Sequence, residues 1–164
     1  MTERLSITDK NHFFSLQKSF LFQNISLFFV VMKSVVVFIE NLFLPDDYAV
    51  QIADLVNEED VLTVVYRLPE VKADAMPLIG DLREIRLNKA KRNIEAWYNR
   101  NDLGVKSFSP FVYDQKVTPE IIRTNLNGDK RFLILYEKGK LDDLQKLLKG
   151  VLKERDVTYK ALEE

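Results

Sequence analysis

From Lys33 onward the chain alternates short, uninterrupted apolar runs with longer stretches whose apolar side chains recur every three or four positions. Ser34–Glu40 (SVVVFIE) is β-branched and apolar on consecutive positions, the pattern of a strand buried on both faces of a parallel sheet. Val61–Leu68 (VLTVVYRL), closed by Pro69, and Arg131–Tyr136 (RFLILY) predict two more strands. Val105–Tyr113 alternates and contains Pro110, which places it near a sheet edge. The tail Val157–Leu162 fits neither period clearly.

The helical stretches lie between these runs. Pro45, Asp46 and Asp47 suit a first turn, since proline is tolerated there and acids favour the positive end of the helix dipole. Tyr48, Ile52, Leu55 and Val56 then form one apolar stripe. Leu78 through Tyr98 predicts the longest helix, with Leu78, Leu82 and Ile85 opening its stripe and Leu87, Ala90, Ile94 and Trp97 continuing it. Asn99–Gly104 stops it with a glycine C-terminus. Thr118-Pro119-Glu120 opens a short helix through Leu126, and Asn127-Gly128-Asp129 is a turn. Asp142–Arg155 predicts a last helix facing the core with Leu144, Leu147, Leu148, Val151 and Leu152. Gly150 would cost that helix roughly 1 kcal/mol relative to alanine.

Strands separated by helix-length segments imply βαβ units with right-handed crossovers. The expected fold is α/β: a Rossmann-like three-layer sandwich with a mainly parallel sheet, formed as a single domain over residues 32–164. Ligands of such sheets bind outside the carboxyl ends of the strands, where the strand order reverses. That rule places Glu40, Asn41, Arg67, Glu137 and Lys138 at the crevice edge.

Residues 1–31 read differently, as an apolar N-terminal extension. Phe13, Phe14, Phe20, Phe22, Phe28, Phe29, Phe38 and Phe43 are eight of the eleven phenylalanines. The uncharged run Ser19–Met32 is shorter than the roughly 20 apolar residues of a spanning helix, and Gln23, Asn24 and Ser26 interrupt it. Its mixed-sign start lacks the pattern of a secretory signal. Three readings stand: an extra core layer, a membrane contact through residues 13–44, or an apolar patch for a partner. Met32 lies directly before the first strand, so the folding unit is expected to begin there, with 1–31 an extension or spurious upstream translation.

Composition narrows the chemistry. The 164 residues hold 24 basic and 25 acidic side chains, no cysteine and one histidine, His12. Disulfides, thiolate metal sites, iron–sulfur clusters and multi-histidine centres are thereby excluded. A balanced charge argues against a dedicated nucleic-acid binder. Arg83, Arg86, Lys89, Lys91 and Arg92 do cluster, but Asp81, Glu84 and Glu95 intersperse them as on a solvated face. Glu40, Asp46 and Asp47 offer oxygen ligands for magnesium, yet acids at a helix start are ordinarily dipole partners, so no metal site is expected. Without a Gly-x-Ser-x-Gly elbow or a second histidine, no catalytic triad can be assembled.

The order KSVVVFIEN, PDDYAVQIADLVNEEDVLTVVYRLPEV, a long helix, GVKSFSPFVYD, TPEIIRTNLNGD and KRFLILYEKGK resembles the universal stress protein family over Met32 to about Tyr159. Glu40 stands where that family commonly ends its first strand with an acid. The resemblance implies a cytoplasmic, non-catalytic binding or regulatory module in stress response, acting as a homodimer or on a protein partner. It implies a dimerisation strand at VTYKAL, and nucleotide as the ligand to test. ATP-binding members carry Gly-x2-Gly-x9-Gly-Ser/Thr after the fourth strand. Here Gly139 precedes KLDDLQKLLKG, without the second or last glycine, and Asp142 and Asp143 would repel phosphate. No cofactor is therefore expected. A membrane-associated protein anchored by residues 13–44, and a nucleotide-binding enzyme of the same superfamily using Glu40 or Asp46 and Asp47 with magnesium, are the alternative functions.

Overall fold

The β-branched runs pair as strands because both their faces can be covered. In the computed structural model, residues 32–70, 82–114, 118–126, 131–152 and 156–163 are described. Among them run β1 (Ser34–Ile39), α1 (Asp46–Ala53), β2 (Val61–Arg67), α2 (Leu82–Asn101) and β3 (Ser107–Tyr113). The chain continues through α3 (Pro119–Asn125), β4 (Arg131–Glu137), α4 (Leu141–Leu148) and β5 (Asp156–Leu162). The five strands form one sheet in the order β3-β2-β1-β4-β5. Every pairing is parallel, with Ser34 opposite both Val61 and Phe132.

Successive strand residues point to opposite faces, and the two faces bury separate clusters. Val35, Val37, Leu62 and Val64 pack with Tyr48 and Ile52 of α1 and Ala90, Ile94 and Trp97 of α2. Val36, Val65, Phe132 and Ile134 pack with Ile122 of α3 and Leu144 and Leu148 of α4. Helices therefore cover both sides of the sheet, and the fold is the expected three-layer α/β sandwich. The strand order explains the division: the chain builds outward from β1 to β3, then crosses back over β1 to place β4 on its other side.

Several elements differ from the sequence pattern for identifiable reasons. Ile85 is 56% exposed. It lies nine residues before buried Ile94, which at about 100° per residue puts it on the opposite side of the helix. The buried stripe is Ala90, Ile94 and Trp97, with partly buried Leu87 packed against it, and Leu78 lies outside the described residues. The last helix ends at Leu148 rather than Arg155, and Gly150 sits in the following turn, where its poor helix propensity costs nothing. Val151 and Leu152 stay buried because their amides bond the Leu148 carbonyl at 2.9 and 3.1 Å, keeping the turn against the sheet. The ambiguous tail is β5, an outer strand paired along its length with β4. Gln51 secures its end, donating to the Glu163 carbonyl at 2.6 Å and accepting from the Glu163 amide at 2.9 Å.

β3 is the opposite outer strand and carries Pro110, whose missing donor is tolerated at an edge. Of the segment 13–44, Ser34–Ile39 form the central strand, and 13–31 lie outside the described residues. Among the described residues no helix is long and apolar enough to cross a membrane.

Two glycines sit at positive φ. Gly104 (+61°) follows α2 as the glycine stop signal requires, and Gly139 (+85°) turns the chain from β4 into α4. A Cβ at Gly139 would meet nothing within 4 Å, so only the backbone conformation opposes it. Gly139→Ala is expected to lower stability by about 1 kcal/mol in urea unfolding, because L-residues disfavour the left-handed region.

Candidate functional site

At the carboxyl ends of the strands, the loops after β1 and β4 leave toward helices on opposite faces. A cleft of about 700 Å³ opens between them, in the range typical of small-molecule sites. Its floor is apolar: Phe38, Val65, Ile122, Leu144 and Leu147. Its polar wall takes Glu40 after β1, Arg67 at the end of β2, Tyr113 and Asp114 from β3, and Tyr136 and Glu137 from β4. Lys140, Asp143 and Lys146 close the side toward α4.

The sequence positions these groups through local chemistry. The carbonyl of Glu137 accepts the Lys140 amide at 3.2 Å, and the Lys140 carbonyl accepts the Leu144 amide at 3.1 Å. This tight turn, hinged at Gly139, aims Lys140 back across the sheet. Its ammonium meets the Glu40 carboxylate at 2.7 Å, so one ion pair spans the point where strand order reverses. The hydrogen bond and charge of Glu40 push the Lys140 pKa up, and Asp143 and Glu137 add to the effect. Both partners remain substantially exposed, so solvent screens the pair. On the far side, Arg83 of α2 donates to Asp114, and Arg86 donates to the Pro69 carbonyl at 2.9 Å. Two arginines of the basic stretch thus tie the start of α2 to the ends of β3 and β2.

Tyr113 is buried below this polar wall, its ring 5.6 Å from that of Phe111. Burial pushes its hydroxyl pKa above the usual tyrosine range; the Arg67 charge opposes this and the Glu40 charge reinforces it. A raised pKa means the folded protein holds this proton more tightly than the unfolded chain. Stability from the neutral hydroxyl is therefore complete below the ordinary tyrosine pKa of about 10 and is lost as pH climbs beyond it. Urea midpoints should fall as the pH rises above about 10, and Tyr113→Phe should fall less steeply than wild type. Equal slopes would place the alkaline loss elsewhere, for instance at Tyr66 or Tyr159, which burial also raises.

Of the residues expected at the crevice, Glu40, Arg67 and Glu137 line the cleft together. Asn41 and Lys138 are exposed and do not line it. Asn41 instead accepts the Phe43 amide on its Oδ1 at 3.0 Å, shaping the loop. Lys140, Tyr113 and Asp114 were missed by sequence reasoning. Lys140 carries a weak signal, since a residue just beyond a strand-ending Gly turn faces the crevice. Tyr113 carries none, because a strand-end tyrosine looks the same whether it packs inward or faces a ligand. Asp46 pairs with Arg100 at 3.2 Å, and no cluster of three metal-ligating groups occurs among the described residues. A second, shallower depression of about 480 Å³ runs between α4 and Val157 and Tyr159 of β5, away from the strand ends. No family model, no curated protein and no solved structure matches the chain.

Proposed function

We propose that this chain is a non-catalytic binding and regulatory module, built like a universal stress protein but taking a small molecule other than ATP. The observation that carries the proposal is the cleft at the reversal of strand order, walled by side chains from β1, β2, β3 and β4 and floored by apolar ones. Three features argue against a nucleotide polyphosphate as occupant. The β4–α4 turn lacks the glycine spacing that lets backbone amides cradle phosphates, Asp142 and Asp143 occupy the first turn of α4, and four acids line the cleft. The absence of any nucleophile–base motif in the sequence favours binding over turnover.

A thermal-shift panel of nucleosides, amino acids, organic acids and amines tests the reading on the full chain. At least one class should raise Tm saturably, with a weaker response in Tyr136→Ala, which removes one wall. A panel without any response would leave only the version in which a protein partner is bound. The same reading takes the molecule as a cytoplasmic homodimer joined along β5, which is an outer strand of the sheet. Sedimentation at the 19.2 kDa of a single chain would remove the dimer.

A further inference from the structure

We infer that the cleft takes a small organic monocarboxylic acid with an apolar, ring-sized body, whose carboxylate pairs with Arg67. This inference rests on the small-molecule reading above and names the ligand class for it. Most of the charges that line the cleft already face an opposite charge. Lys140 is held by Glu40 at 2.7 Å, with Glu137 adding to its field. Lys146 faces Asp143 at 3.8 Å, and Asp114 accepts from Arg83. Arg67 alone among these lining cations has no hydrogen bond or ion pair to a described residue. Arg67, at the end of β2, is thus the lining cation left to meet a ligand.

That group selects its partner by shape as well as sign. A guanidinium presents a planar fork of N–H donors that matches a carboxylate with two parallel bonds. A multiply charged phosphate would gain at Arg67 but lose more against Glu40, Glu137 and Asp143 than a singly charged carboxylate does. A cationic ligand would be repelled by Arg67. Below the rim, Phe38, Val65, Ile122 and Leu147 offer apolar contact to a body of ring size. The buried Tyr113 lies beside Arg67, close enough for the guanidinium charge to act on its hydroxyl.

The test titrates the full-length protein with phenylacetate, phenylacetamide, phenethylamine and inorganic phosphate, following the backbone amide resonances of Arg67, Tyr113 and Glu137. Phenylacetate should move these resonances saturably, and Arg67→Met should weaken it by about tenfold or more, the loss expected for a charge-assisted pair. Arg67→Lys should retain part of the affinity, and both variants should melt as wild type because Arg67 is exposed. Amide, amine or phosphate binding as tightly as the acid would overturn the carboxylate assignment while keeping the small-molecule site. Unchanged phenylacetate affinity in Arg67→Met would overturn it as well. Resonances unmoved by every probe would remove both the assignment and the site.

Discussion

Replacing Ile134 and Leu135 together by alanine should leave no cooperative unfolding transition in water at 37 °C. These neighbours in β4 are both fully buried, yet they project to opposite faces of the sheet. Ile134 packs in the cluster under α3 and α4, and Leu135 in the cluster under α1 and α2. Each truncation opens its own cavity and should cost about 2–5 kcal/mol. The backbone layer between the cavities keeps them from sharing relaxation, so the losses should nearly add. Their sum then consumes most of the roughly 5–15 kcal/mol that holds a domain of this size together. Urea unfolding of the two single variants and far-UV circular dichroism of the double variant check this. A single variant losing less than about 1 kcal/mol would mean that one face is not packed as described.

Asp60→Ala should be nearly as damaging as either core truncation, although it removes a charged residue. Asp60 is fully buried at the amino ends of the strands. Its Oδ1 accepts the Lys33 amide at 3.0 Å and its Oδ2 the Asn57 amide at 2.8 Å. The Lys33 ammonium lies 3.3 Å from Oδ2. Its backbone carbonyl accepts the Lys106 amide at 3.0 Å, just before β3. One residue thereby fixes the starts of β1, β2 and β3 relative to each other. Alanine leaves two amide donors without partners inside the protein, a loss of about 3 kcal/mol. Asparagine keeps one acceptor oxygen and the shape, so Asp60→Asn should lose less than Asp60→Ala. Equal urea midpoints for Asp60→Ala and wild type would show that water or another group satisfies those amides.

Asp60 also marks where sequence reading stops. In the chain it is the last acid of Asn57-Glu58-Glu59-Asp60, indistinguishable from solvated neighbours that end a helix. Only the approach of Lys33 and the turn at Asn57 make it a buried tie. Ile85 shows a similar limit: it continues a plausible apolar spacing, but the helix face that meets the sheet is fixed by where β2 and β3 lie. β5 has no clear period of its own, since an outer strand carries exposed Thr158 and Lys160 beside half-buried Val157 and Tyr159; only the family resemblance pointed to a strand at VTYKAL, and its pairing with β4 comes from across the fold.

The apolar periodicity of β1, β2 and β4, the proline at the β3 edge and the turn glycines determined the α/β class and the carboxyl-end crevice. Those signals are short-range: burial on both faces demands continuous apolar strands, and a left-handed turn demands glycine, whatever surrounds them. Tertiary structure decided the strand order, the pairing of Glu40 with Lys140 across its reversal, and which cleft cation has no ion pair among the described residues. These depend on contacts between segments far apart in the chain, where charge compensation is a property of neighbours in space.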